Sequence, residues 1–275
     1  MRCDRTFLAH RSMIPLLLAV IVIGAVLMTE GKAAEPEDKD LAVVLGKTIE
    51  IAKTVDAYKA CEYLEASGEP LVVTKRYFSL IGQLCFKEKN IPLMVSMGEA
   101  GIHFALREAD LLSKTDVEGA NQLRGLAKAM SYNLGVNTWP GWNDEGVVID
   151  ETARQPGYQA ALFNRRMAAE LGRAADAVGN AEWLVGAHQL AAGELDAAKD
   201  SFGKAAAKFN EAEKNDMELM AKGYAALTNL LTEESKSAGE AEWTAVKKEL
   251  ESLGTDDARF FIEQIEVART VFETK

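Results

Sequence analysis

The chain has 275 residues, 48% of them hydrophobic, with 31 Lys plus Arg against 42 Asp plus Glu. That length buries about 70% of the unfolded surface without help from disulfides, in one large domain or two small ones. A formal charge of −11 disfavours nucleic acid and anionic lipid as partners.

The first 34 residues differ from the rest. Arg2, Arg5 and Arg11 precede an unbroken apolar run from Met13 to Met28, followed by small residues around Gly31, Ala33 and Ala34. This is the layout of a secretory signal, with Gly31-Lys32-Ala33 as the cleavage site. The run is shorter than the ~20 residues that cross a hydrocarbon core. The expectation is a signal over 1–33, an exported mature chain (periplasmic, envelope-associated or secreted) with no membrane insertion, and a folded domain over 38–275. An uncleaved N-terminal anchor is the alternative. No Asn-x-Ser/Thr acceptor occurs, which leans towards a bacterial exporter.

Beyond residue 38 almost every segment repeats its apolar residues at three and four. The spacing predicts helices over 40–67 and 71–88, turning at Gly68. Pairing them antiparallel offsets Cys61 from Cys85 by roughly 13–15 Å along the axes, beyond the ~7 Å reach of a disulfide. Two buried free thiols are therefore expected. Residues 91–113 carry one stripe of Met94, Val95, Gly98, Ile102, Ala105, Leu106, Ala109 and Leu112 and a second of Met97, Phe104 and Leu111. Two apolar faces suit a middle layer. Residues 116–138 repeat this with Leu123, Ala127, Met130 and Leu134 beside Leu126 and Val136.

A loop from Trp139 to Pro156 follows, in which only Gly146–Ile149 has the look of a strand. Helices are then predicted over 157–178, 180–192, 195–213, 216–232, 238–253 and 256–273. Pro70 and Pro92 fall in first turns, Asn180 and Thr255 in N-cap positions, and Thr115-x-x-Glu118 and Ser237-x-x-Glu240 have capping-box spacing. The total is about ten helices and the class all-α.

Within 179–212, a helix bearing Gly186 meets a turn at Gly193-Glu194 and a second helix bearing Ala198, Phe202 and Ala205. This stretch resembles one tetratricopeptide repeat: Val185-Gly186 fill its Leu-Gly slots and Ala198 and Phe202 its second-helix pair. Glu182, Gln189 and Asn210 stand where that family has Trp, Tyr and Pro. Leu134-Gly135, Ile81-Gly82 and Lys222-Gly223 extend the series with falling fidelity over residues 71–253. The resemblance implies stacked antiparallel hairpins, a TPR-like α-solenoid, with a protein or peptide held on a concave face lined by first helices. Outward-facing candidates there are Asn133, Asn137, His188 and Gln189, against the alternative that they are merely solvated or cap turns.

Other chemistry is thinly represented. Glu99 and His103 lie one turn apart but lack further ligands, so no metal and no cofactor is expected. No nucleophile elbow, phosphate loop or His-Glu-x-x-His motif is present, which points away from an enzyme. Paired acids such as Asp144-Glu145 serve helix starts and loops. The stretch Trp139–Gly146 exceeds what a hairpin needs. Trp139 and Trp142, with Asn143, Asp144 and Glu145, either form an aromatic platform for a ligand or fold back over the helix stack. The leading expectation is an exported scaffold for a protein or peptide. The rival is a small-molecule-binding protein or enzyme using this loop.

Overall fold

The computed structural model describes residues 38–273, so the signal-like segment over 1–33 lies outside the described residues. Those described form eleven helices and no strand. They are α1 (Leu41–Thr54), α2 (Ala57–Glu65), α3 (Pro70–Phe86), α4 (Ile91–Leu112), α5 (Val117–Asn137), α6 (Glu151–Glu170), α7 (Ala175–Ala192), α8 (Leu195–Glu211), α9 (Asn215–Leu230), α10 (Lys236–Leu253) and α11 (Asp256–Glu273). None is long and apolar enough to cross a membrane.

From α3 to α11 each helix packs on the one before it and the one after it. Members of the odd-numbered set also touch, α3 with α5, α5 with α7 and α9 with α11. The fold is therefore a helical solenoid of antiparallel neighbours. The α7–α8 hairpin shows why the sequence allows it. On α7, Gly179 and Gly186 stand seven residues apart on one stripe. A Cβ at either would lie 2.8 Å from a ring of α8, Phe209 for Gly179 and Phe202 for Gly186. The antiparallel helix thus sets two rings, themselves seven residues apart, into two slots left by missing side chains. Ala198 and Ala205 of α8 are fully buried along the same seam.

Punctuation departs from expectation where a capping side chain outcompetes a simpler signal. Residues 40–67 form two helices, because the Asp56 side chain accepts from the Lys59 backbone N–H at 2.7 Å and starts α2. Asp150 caps α6 in the same way through Ala153, so this helix begins six residues ahead of Gly157 and carries Pro156 within it. Gly146–Ile149 is extended loop. The α5 cap is Asp116, accepting from Gly119, rather than Thr115. Ser235 precedes α10 and turns its hydroxyl to the Asn229 carbonyl, so Ser237 lies inside the helix. Asn180 sits inside α7, which starts at Ala175. Thr255 does accept from the Ala258 N–H, at 3.2 Å, and Pro70 and Pro92 lie in first turns.

Among the described residues the two cysteines, Cys61 and Cys85, are free thiols. Cys85 is buried and burial pushes its thiol up to about 12. Cys61 is only half-buried, on α2, where its Sγ lies 3.8 Å from the Met97 Sδ of α4.

Candidate functional site

After α5 the Thr138 hydroxyl donates to the Leu134 carbonyl at 2.7 Å, and Pro140–Trp142 makes one 3-10 turn. Asn143 ends that turn at φ 53°, a left-handed conformation that Asn tolerates better than most residues. This geometry throws the Trp139 indole inward. It is 1% exposed, and its N–H donates to the Ala187 carbonyl of α7 at 2.7 Å. Its ring meets Trp183 of α7 and Tyr224 of α9, each at 5.8 Å, and Phe272 of α11 at 6.1 Å. Trp142 stands edge-on to it at 4.7 Å and donates its own N–H to the Val136 carbonyl at 2.8 Å.

One side chain that touches α7, α9 and α11 lies on the face those helices share. The chain's own loop therefore fills the face on which a partner was expected. Of the two readings of Trp139, fold-back over the helices is the one observed and the platform is not: an indole sealed on all sides offers no stacking surface. Trp142 remains half-buried and Asn143 is exposed at the loop tip. Asp144 is half-buried, and desolvation raises its carboxyl despite nearby Lys89. Glu145 is exposed, and its backbone carbonyl accepts from the Lys89 ammonium.

Two of the four polar candidates are corrected as well. Asn137 is buried, with no partner for its side-chain nitrogen among the described residues. His188 is 3% exposed, its Nε2 2.9 Å from the Gly135 carbonyl and its ring stacked on Tyr158 at 5.9 Å. Gly157 passes so close that a Cβ there would lie 2.9 Å from the imidazole and 1.8 Å from the Thr138 hydroxyl. Burial holds the imidazole down to about 4, so it is neutral at physiological pH and donates to that carbonyl. Asn133 and Gln189 are half-buried, and the Gln189 side-chain oxygen accepts from the Ser201 hydroxyl at 2.7 Å. The structure thus brings Trp139 and Trp142 into contact and buries Asn137 and His188. Glu99 and His103 are exposed on α4.

An open cleft of about 700 Å³ remains where the carboxyl ends of α7, α9 and α11 come together. Leu190, Leu195, Leu230, Leu231 and Phe272 give it an apolar lining, and Glu233, Lys236, Arg269 and Glu273 surround them. Arg269 bridges Glu240 of α10 and Glu273 of its own helix, which ties the last two helices together. Phe272 is shared with the Trp139 cluster, so the cleft borders the filled face. Sequence reasoning missed it because its residues come from helix ends that periodicity treats as ordinary amphipathic positions.

No protein-family model matches the chain, and no curated protein matches it.

Proposed function

We propose that this protein is an exported, tetratricopeptide-like scaffold that holds a protein or peptide partner and does no chemistry of its own. Serial packing of helix pairs through glycine and alanine slots supports the reading, because such arrays present long composite surfaces made from successive helix ends. The cleft carries it. With the shared face of α7, α9 and α11 occupied by Trp139, the adjoining open cleft is where an arriving side chain meets both apolar and charged groups. A ligand platform on Trp139 plays no part, since that ring is buried.

The test is a pull-down from envelope extract with the mature chain and with Leu195→Asp. Leu195 opens α8 and is half-buried, so an acid there spares the fold and favours the first helical turn. A stoichiometric partner recovered by the wild type and lost with Leu195→Asp supports the proposal. Equal recovery by both proteins, or none by either, contradicts it. Mass measurement of the exported protein reads the other half of the claim: a chain beginning at Ala34 supports cleavage, and one beginning at Met1 supports the anchor.

A further inference from the structure

The four charged side chains that line the cleft cancel in pairs. Lys236 stands 3.9 Å from Glu233, and Arg269 is held by Glu273 and by Glu240 of α10. What does not cancel is the backbone. Three helices end at the cleft, and each helix end carries about half an elementary negative charge on carbonyls that lack a partner in the helix. None of α7, α9 and α11 has a basic residue in its last turn.

Two of these ends are finished differently. At α7 the Gly193 and Glu194 N–H groups donate to the Leu190 and Gln189 carbonyls, at 3.1 and 2.9 Å. The Arg154 guanidinium of α6 reaches over and donates to the Ala191 carbonyl at 3.3 Å. The Ala192 carbonyl is left, on an exposed residue where water serves it. At α9 the Leu231 and Thr232 N–H groups donate to Leu227 and Asn229, each at 3.2 Å, and the Thr232 and Ser235 hydroxyls to Thr228 and Asn229. The Leu230 and Leu231 carbonyls accept nothing among the described residues, and no cation reaches them. Yet Leu230 is 3% exposed, and both residues line the cleft. An unpaired backbone acceptor on a buried residue is rare and costly. Helix carbonyls point beyond the carboxyl end, so the cleft is the side from which a donor reaches them.

We propose that the cleft takes a leucine–lysine pair of the partner, with the lysine ammonium capping the open end of α9 and the leucine resting on Leu190, Leu195 and Phe272. This rests on the cleft being the docking site and adds what the partner presents there. An ammonium brings three donors and no acceptor, and it can turn them to successive carbonyls that a planar guanidinium fork fits less well. Its four-carbon stem lies along apolar surface while the charge stays at the rim. Arg154 shows the same answer, a cation on a terminal carbonyl, supplied from within the fold at α7. A chain of net charge −11 also favours the approach of a basic segment.

The test is a calorimetric titration of the mature chain with three blocked peptides, Gly-Ser-Leu-X-Leu-Ser-Gly, in which X is lysine, norleucine or glutamate. The lysine peptide should bind saturably and at least about tenfold more tightly than either of the others. Its affinity should fall as sodium chloride is raised from about 0.05 to about 0.5 M. Glu233 is exposed and lies three residues past Leu230, so Glu233→Lys supplies a competing ammonium without disturbing the core and should remove the preference for lysine. Equal affinity for the lysine and norleucine peptides, or no binding of the lysine peptide at millimolar concentration, overturns the proposal. The docking reading fails separately. A partner recovered from envelope extract by wild type and by Glu233→Lys alike, but lost with Leu195→Asp, keeps the cleft as the docking site and removes the lysine from it.

Discussion

Between α1 and α4 the core is mostly aliphatic and sulfur-rich, built on Leu45, Val73, Leu80, Ile81, Leu84, Met94 and Met97, with one ring pair, Tyr77 and Phe104 at 6.0 Å, in which Tyr77 sits against Gly101. Between α7 and α11 it is built on rings: Phe202 and Phe209 in the glycine slots of α7, Tyr224 stacked on Phe202 at 5.3 Å, and Trp139 against Trp183 and Phe272. The two regions hold the same kind of helix pairs together. Aliphatic and thioether chains can repack around a small change. A ring seated against a missing Cβ cannot, because its partner is backbone. The second half of the molecule, with more such seats than the single Tyr77–Gly101 contact of the first, should therefore be the more brittle one.

The sharpest way to break this contrast is Trp139→Ala. It empties a site walled by α7, α9, α11 and the 3-10 turn and strands the Ala187 carbonyl, so unfolding free energy should fall by about 3–5 kcal/mol in urea melts. Trp142→Ala, on a half-buried ring, should cost clearly less. A pH titration is next in size. The imidazole of His188 is held at about 4 against 6.5 unfolded. The folded chain thus binds fewer protons across that interval, and stability is complete above pH 6.5 and lost as pH falls towards 4. Wild type should lose about 3 kcal/mol more than His188→Gln between pH 7 and 4.

Glycine substitutions sharpen the comparison further. Helix propensity alone favours Ala over Gly by about 1 kcal/mol. At Gly203 of α8 nothing lies within 4 Å of a new Cβ, so Gly203→Ala should stabilise by roughly that amount. At Gly186 the Phe202 ring is in the way, and overpacking of about 1–3 kcal/mol should reverse the sign. The smallest effect belongs to the first region: Met94→Leu, though fully buried, should cost less than about 1.5 kcal/mol.

Helix positions were legible because spacing at three and four is a local property, and the hairpin at 175–211 could be read down to the seating of Gly186 against its neighbour. Gly179 and Phe209 repeat that pair one heptad away and carried the same signal, unread. The break at Asp56 and the early start of α6 at Asp150 were hidden by apolar spacing that runs through the caps. What the loop does was legible only as one of two readings, platform or fold-back, with nothing local to name the partners. Trp139 finds its partners 44, 85 and 133 residues downstream, and no local pattern says that an indole will enter a groove rather than leave it.

The account rests on the Trp139 indole filling the face shared by α7, α9 and α11, and NMR of the indole N–H reads this directly. The expected result is a slowly exchanging Trp139 Nε1–H, with ring-to-ring Overhauser contacts to both Tyr224 and Phe272. Rapid exchange with solvent, or contacts confined to Trp142, would place the ring outside the stack and contradict the account.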